Sequence, residues 1–263
     1  MQVNGTKLKV LDHGDSEAKP VVLIHGFPLS HEMWSPQIEF LEQSSRVVAY
    51  DIRGLGESDV GDGQYTMELF VDDLLGLLDS LKIEKAVLCG LSMGGYIALR
   101  AVEKSEGRVE GLILCDTKAE ADSNEAKLKR AATIRSVKDQ GVEAFGESQI
   151  HALLVPQTLT KNPAVVETVR RMIQRNSPLG ICGALLAMAG RTDTSTVLPN
   201  LKIPTLILVG ENDTLTPPEV SKSMHGKISH STMHIIQRAG HLSNLENTED
   251  FNRHLSNFLS KFH

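Results

Sequence analysis

The 263-residue sequence contains only three cysteines, Cys89, Cys115 and Cys182, and has no C-x-x-C pair. Three thiols cannot all pair with one another, and two of them end apolar runs typical of strands. We therefore expect reduced, buried thiols that pack as small apolar side chains. The sequence also lacks an apolar run of membrane-spanning length, and its first ten residues lack the charged-then-apolar layout of a signal peptide. These absences predict a cytoplasmic protein that does not associate with membranes.

Basic residues are not in excess either. The formal net charge is -6, which disfavours a nucleic-acid partner because phosphates are bound by a basic surface. Charge is distributed unevenly: residues 118–195 contain 11 Lys and Arg against 8 Asp and Glu, and we assign this local excess to solvated helix faces. The apolar fraction of 41% and the charged fraction of 23% are typical of an ordinary globular chain, without disordered or repetitive segments.

Short apolar runs rich in β-branched residues recur along the sequence. Continuous apolar runs of this length are typical of parallel strands that are buried on both faces. The predicted strands are Val21–His25, Val47–Tyr50, Ala86–Cys89, Leu112–Cys115, Thr205–Val209 and Met233–Ile236. An Asn-Gly pair at positions 4 and 5 also predicts an antiparallel hairpin at the start of the chain.

Helical patterns alternate with these strands. Apolar residues recur at helical spacing over 66–81, and further helices are predicted over 91–102 and 249–259. This alternation predicts an α/β fold with a doubly wound, mostly parallel sheet of eight strands. In the middle of the chain the alternation stops, and four consecutive helices are predicted over Asn124–Lys138, Val142–Leu154, Pro163–Arg175 and Leu179–Ala189. We expect residues 1–118 and 196–263 to form the core, and residues 119–195 to form a helical cap.

The pattern G-x-S-x-G occurs at residues 90–94, between a predicted strand and a predicted helix. Two interpretations compete: the glycines allow backbone amides to bind a phosphate, or they allow a sharp turn that exposes Ser92 as a nucleophile. The phosphate interpretation is weak because the sequence has no G-x-x-x-x-G-K-[ST] or G-x-G-x-x-G motif. In a strand-to-helix turn, Gly90 and Gly94 would avoid the clash that Cβ atoms would make beside a strained serine. We therefore predict that Ser92 is a nucleophile.

A serine nucleophile needs a general base, and that base needs a carboxylate to orient it. His241 lies in a glycine-containing loop between the last predicted strand and the last helix, and Asp213 lies just after the strand at 205–209. Ser92, Asp213 and His241 follow one another in the order expected for a serine nucleophile on a strand-to-helix turn of this kind, and each follows a different strand. Asp116 is an alternative acid because it follows a neighbouring strand.

Two backbone amides are candidates for stabilising the oxyanion of an acyl-transfer reaction. One is the N–H of Met93, the residue after the nucleophile, and the other is the N–H of Phe27 in the loop H-G-F-P. A metal site at His31–Ser35 or at His230 and His234 is disfavoured, because the first lacks a second histidine and the second leads into a strand. We interpret the loop 51–58 as a structural turn held by local hydrogen bonds of its aspartate and arginine.

Together these motifs resemble those of the α/β-hydrolase fold family over nearly the whole chain. They are HGFP at 25–28, DIRGLGES at 51–58, GLSMGG at 90–95, GENDTLTP at 210–217 and GHLSNLE at 240–246. The resemblance implies a triad of Ser92, Asp213 and His241, amides of Phe27 and Met93 around the oxyanion, a helical cap, and no cofactor or metal. Serine at position 92 disfavours the epoxide-hydrolase and haloalkane-dehalogenase types, which have aspartate there.

The expected function is hydrolysis of small carboxylic esters through an acyl-enzyme, by a monomer or homodimer. The motifs also resemble those of 3-oxoadipate enol-lactonases and cofactor-free haloperoxidases, so lactone hydrolysis and a perhydrolase side activity are alternatives. An enol-lactonase would need a cationic anchor, for which the predicted cap offers four arginines: Arg170, Arg171, Arg175 and Arg191. A ligand receptor that retains the triad is a further alternative, because fold does not determine function.

Overall fold

Strands and helices alternate through most of the computed structural model, which describes residues 1–262. The strands in that range are β1 (Gln2–Val3), β2 (Thr6–Lys7), β3 (Val10–His13), β4 (Pro20–Ile24), β5 (Arg46–Tyr50), β6 (Ala86–Leu91), β7 (Val109–Cys115), β8 (Thr205–Gly210) and β9 (Ser231–Ile236). Every residue of β6 and of β8 is buried, because helices cover both faces of the sheet. This double burial is why these strands could be recognised as continuous apolar runs.

Seven strands form the main sheet, in the order β3-β5-β4-β6-β7-β8-β9. All neighbouring pairs are parallel except β3 with β5, which is antiparallel. The predicted doubly wound, mostly parallel sheet is therefore confirmed, but the strand count of eight is wrong.

The predicted hairpin at the start of the chain lies outside the main sheet, which removes two of the eight strands, and the unpredicted strand β3 adds one. Strands β1 and β2 pair only with each other and form a separate two-stranded sheet. The hairpin packs on the helix over 67–80: the Asn4 side-chain amide donates a hydrogen bond to the Asp72 carbonyl oxygen at 2.7 Å, and Val3 contacts Gly76. Because its strands are two residues long and packed on this helix, the hairpin does not extend the main sheet.

The three helices predicted over 66–81, 91–102 and 249–259 are present in the structure. The α-helices are α1 (Ser35–Leu41), α2 (Met67–Ser80), α3 (Met93–Ser105), α4 (Asn124–Leu153), α5 (Pro156–Lys161), α6 (Pro163–Gln174), α7 (Pro178–Ala189), α8 (Pro218–Lys227), α9 (Ser243–Glu246) and α10 (Thr248–Leu259). None of the helices within residues 1–262 combines the length and apolar character needed to cross a bilayer.

Helices α4 to α7 follow one another between β7 and β8, and we call them the inserted helices. Two predicted helices merge into α4, although Gly141 interrupts the helical backbone with φ of 85° and ψ of 174°. The short helix α5 was not predicted. The inserted helices contact the loops at the carboxyl edge of the sheet: the Asn176 side chain, for example, hydrogen-bonds the backbone of Pro28 and of Gly56.

Candidate active site

Ser92 lies at the turn between β6 and α3, with φ of 53° and ψ of -112°. Positive φ is strained for a residue with a Cβ, so the surrounding structure must hold this conformation. A Cβ on Gly90 would lie 2.2 Å from the Gly94 carbonyl oxygen, and a Cβ on Gly94 would lie 2.1 Å from the Ile24 carbonyl oxygen. Both contacts are with backbone that cannot move aside, which explains the two glycines of the motif.

His241 and Asp213 are hydrogen-bonded to each other. His241 Nδ1 lies 2.8 Å from Asp213 Oδ2, and both side chains are almost fully buried. The remaining acceptor positions of the carboxylate are also filled: Oδ1 accepts the backbone N–H groups of Leu215 and Thr216, and Oδ2 accepts the Thr216 hydroxyl at 2.6 Å. The loop after β8 therefore holds the carboxylate in one orientation toward the imidazole.

The environment of Asp213 favours its ionised form. Burial by itself would raise the pKa of Asp213, but the positive charge and the hydrogen bond of His241, with the Thr216 bonds, lower that pKa below its ordinary value. An ionised Asp213 can stabilise a protonated His241.

The alternative acid, Asp116, makes different contacts. Its Oδ1 accepts the Gly210 N–H at 2.8 Å and its Oδ2 accepts the Ser243 hydroxyl. Burial, with the nearby charge of Asp213, raises the pKa of Asp116 well above its ordinary range. Asp116 thus ties β7 to the neighbouring loops, and His241 is paired with Asp213 instead.

Ser92 and His241 both line a cavity of about 420 Å³ at the carboxyl edge of the sheet. Within residues 1–262 no hydrogen bond joins the Ser92 hydroxyl to the imidazole; the histidine ring is bonded on its Nδ1 side only. In structures without substrate such catalytic contacts are commonly long, and they tighten when substrate binds. The cavity is apolar around Phe27 and Phe145, whose ring centroids are 6.1 Å apart.

Phe27 lines this cavity, and Met93 directly follows Ser92, which also lines it. Met93 is the first residue of α3, where a backbone N–H has no intrahelical acceptor. Across the described part of the chain, neither amide donates to another protein atom. Neither N–H is therefore committed to a protein acceptor.

His25, which the sequence analysis overlooked, orients the Phe27 amide. The Ile52 N–H donates to His25 Nε2 at 2.9 Å, so the proton is on Nδ1, which donates to the Gly26 carbonyl oxygen at 2.9 Å. Burial is the main cause that lowers the pKa of His25, which keeps the ring neutral. Because the Gly26 carbonyl and the Phe27 N–H belong to one planar peptide unit, fixing the first also fixes the second.

The loop 51–58 is held more widely than predicted. Asp51 is buried and accepts hydrogen bonds from the backbone and the ring of His31 and from the Glu57 N–H. Arg53, however, leaves the loop and forms a bidentate ion pair with Asp73 of α2. The loop is therefore fixed to two other elements and not only by its own side chains.

Glu246 connects the histidine loop to the inserted helices. Its Oε1 accepts the Gly240 N–H at 2.8 Å, and its Oε2 accepts the Val155 N–H at 2.9 Å and the Thr158 hydroxyl at 2.6 Å. Gly240 directly precedes His241, so a single carboxylate links that loop to the junction of α4 and α5. The sequence analysis did not predict this role of Glu246, whose only signal was its place at the end of the G-H-L-S-N-L-E motif.

The four arginines considered as anchors do not line the cavity. Arg170 pairs with Glu147 and Glu167, and Arg171 and Arg175 both pair with Glu32. The fourth, Arg191, is buried against Asp122 and lies over the Tyr96 ring. The cationic side chains that do line the cavity are Lys118, Lys129 and Arg130.

The buried thiols of Cys89 and Cys115 lie 3.9 Å apart and are free. Among the residues that the structure describes, no group of three or more His, Cys, Asp or Glu side chains is arranged to hold a metal ion.

Comparison with known proteins identifies the family of the chain. The family described as alpha/beta hydrolase fold matches residues 19–248. The curated 3-oxoadipate enol-lactonase 1 of Acinetobacter baylyi is 30% identical over 260 residues, which cover 97% of this chain and 94% of the relative.

Solved structures resemble the whole chain. A thermophilic esterase from Thermogutta terrifontis, with malate bound, is 42% identical with a TM-score of 0.94, covering 98% of this chain and 94% of that one. The enol-lactonase from Burkholderia xenovorans LB400 is 30% identical with a TM-score of 0.92, covering 98% of each chain. The chain therefore belongs to the α/β hydrolase fold family, and its relatives include esterases and enol-lactonases.

Proposed function

We propose that the protein is a serine hydrolase that cleaves small carboxylic esters. Ser92 is the nucleophile, His241 the general base and acid, and Asp213 the carboxylate that orients the imidazole. The N–H groups of Phe27 and Met93 stabilise the oxyanion. Removing one such donor typically costs about 3 to 4 kcal/mol of transition-state stabilisation.

The reaction has two halves. In the first, His241 takes the Ser92 proton as the hydroxyl attacks the ester carbonyl, and then gives that proton to the leaving alcohol, which produces an acyl-enzyme. In the second half, His241 takes a proton from water, hydroxide attacks the acyl carbonyl, and Ser92 recovers its proton as the carboxylic acid leaves. Asp213 stays ionised throughout and stabilises the imidazolium.

The observation that carries this proposal is the buried pair of Asp213 and His241 beside the cavity that Ser92 lines. The 2.8 Å hydrogen bond to Asp213 occupies Nδ1 of His241 and leaves Nε2 available to a serine hydroxyl. The strained turn at Ser92 supports the same assignment, because strain of this kind is retained where a function requires it.

Hydrolysis of short p-nitrophenyl esters by the wild type and by Ser92→Ala tests the proposal. We expect turnover by the wild type, loss of nearly all of it in the variant, and a mass increase at Ser92 after treatment with a p-nitrophenyl phosphonate. A wild type that neither turns over these esters nor is labelled would refute the esterase assignment.

Lactone hydrolysis is a second candidate, favoured by the relatives that are named enol-lactonases. A lactone uses the same nucleophile, and the alcohol formed remains part of the product. Comparing kcat/KM for a panel of lactones with that for acyclic esters of equal size distinguishes the two functions.

A further inference from the structure

The face of α4 that lines the cavity carries positive charge. Ala126, Lys129, Arg130 and Thr133 line the cavity at spacings of three and four residues, which places them on one face of the helix. Such an inward face is normally apolar, because it packs on the core. Two of these four side chains in the first half of α4 are cations, whereas Phe145, Gln149 and Leu153 line the cavity from its second half.

The cations of this region outnumber the carboxylates. Asp122, whose side chain is only 1% exposed, is paired with Arg130 and Arg191 and lies 3.8 Å from the Lys118 ammonium. One carboxylate thus faces three cations. Lys129 makes no ion pair with any carboxylate in residues 1–262, so it adds a further uncompensated charge.

This excess is notable in a chain whose formal net charge is -6. It also acts on Lys118: burial, followed by the charge of Arg191, lowers the pKa of that ammonium group. The cavity is lined by three cations and one carboxylate, Asp122, and a concave site with an excess of one sign of charge raises the local concentration of ligands of the opposite sign. The cavity is therefore suited to bind an anion.

Donors for such an anion are available. Arg130 uses Nε and Nη2 on Asp122, and its Nη1 makes no hydrogen bond within the described chain. Lys129 is exposed at the cavity and has its whole ammonium group free. An arginine edge and a lysine ammonium together match the oxygens of a carboxylate.

We propose that the substrate carries a carboxylate in addition to its ester bond, and that Lys118, Lys129 and Arg130 bind this carboxylate while Ser92 attacks the ester. The proposal rests on the proposed function and narrows its substrate class to esters or lactones that bear an anionic group. Phe27 and Phe145 on the cavity wall would contact the apolar carbons between the two groups.

The test compares anionic esters with neutral esters of the same shape. Ethyl hydrogen glutarate is paired with ethyl 4-carbamoylbutanoate, which places the carboxylate on the acyl side. 3-(Butanoyloxy)propanoate is paired with its primary amide, which places it on the alcohol side. Release of acid is followed in a pH-stat at low ionic strength, and we expect kcat/KM for the anionic member of at least one pair to be about tenfold higher, as for one charge-assisted contact.

Lys129→Gln and Arg130→Gln should each move that ratio toward one, and raising the salt concentration should do the same. Lys129→Gln breaks no ion pair among residues 1–262, so we expect this variant to be as stable as the wild type. Lys127→Gln is the matched control: it removes an exposed lysine of α4 that does not line the cavity, and we expect an unchanged ratio.

A ratio of one or less for both pairs in the wild type overturns the proposal, as does a ratio that neither Lys129→Gln nor Arg130→Gln changes. Inhibition of ethyl butyrate hydrolysis by glutarate and by inorganic phosphate separates two kinds of anion: stronger inhibition by phosphate overturns the carboxylate assignment. Loss of ethyl butyrate hydrolysis in Ser92→Ala is a separate result, so a failed charge preference is distinguishable from a failed hydrolase assignment.

Discussion

Replacing Asp213 with asparagine changes one atom of the proposed triad and leaves its shape intact. Asp213 Oδ1 accepts two backbone N–H groups, from Leu215 and Thr216, so the asparagine carbonyl oxygen must take that position. The new NH2 group then occupies the position of Oδ2, where His241 Nδ1 lies 2.8 Å away. The Thr216 hydroxyl can rotate and accept from the amide, but the imidazole has to change its tautomer.

The size of the effect follows from that tautomer. An NH2 donor requires Nδ1 of His241 to be an acceptor, so the ring proton moves to Nε2, the nitrogen that should take the proton of Ser92. In a serine triad this exchange lowers kcat by about 10⁴-fold, which corresponds to about 5.4 kcal/mol. The loss should appear in kcat more than in KM, because the cavity that binds the ester is unchanged.

Steady-state hydrolysis of p-nitrophenyl butyrate by Asp213→Asn measures this loss, with Asp116→Asn as the matched variant. Burial raises the pKa of Asp116, so a neutral amide resembles its protonated state, and Ser243 can accept from that amide. We expect Asp116→Asn to retain activity within a few-fold of the wild type. If Asp116→Asn loses as much activity as Asp213→Asn or more, the assignment of the orienting acid is wrong.

Three further predictions concern stability and geometry. Gly94→Ala should lower the free energy of unfolding by at least about 2 kcal/mol in urea titrations because of its clash with the Ile24 carbonyl, whereas Gly107→Ala, with open space around it, should change it by less than about 0.5 kcal/mol. The raised pKa of Asp116 means that the folded state keeps this proton above pH 4, where the carboxyl of the unfolded chain begins to ionise at about its ordinary pKa. As pH rises, the stability of the wild type should therefore fall relative to that of Asp116→Asn, by up to ~1.4 kcal/mol per pH unit. Urea titrations of both proteins at pH 4 and pH 7 measure this difference. Glu246→Gln should cost about 1 to 3 kcal/mol of stability and lower kcat, because its NH2 group must face the N–H of Gly240 or of Val155.

The main sheet could be predicted because its central strands are buried on both faces and read as continuous apolar runs. Strand β3 was missed for the opposite reason: it lies at an edge, pairs antiparallel with β5, and is only partly buried. The six-residue helix α5, between Pro156 and Pro163, is too short to show a helical period. Local sequence patterns thus predict strands that are buried on both faces, and they miss a partly buried edge strand and a very short helix.

The same distinction applies to the site. Ser92, Asp213 and His241 could be named because each follows a strand, and parallel strands bring their carboxyl ends to one edge. Lys129 and Arg130 could not, because which face of α4 meets the cavity is decided by how the inserted helices pack on the core. The available signals were the local excess of Lys and Arg over residues 118–195 and the spacing of Lys129, Arg130 and Thr133, which puts polar side chains on one face of the helix.

Glu246 gives the inserted helices and the histidine loop a shared anchor. If the α4–α5 junction is lifted to admit a substrate, either its bonds from Val155 and Thr158 break or the carboxylate moves with it and pulls on Gly240. Either outcome would disturb the backbone beside His241, so Glu246 makes the position of that histidine depend on how the inserted helices are seated. If these helices were grafted onto another core of this fold, its histidine loop would need an acid at the position of Glu246. Without that acid the contact between the helices and the loop would be lost.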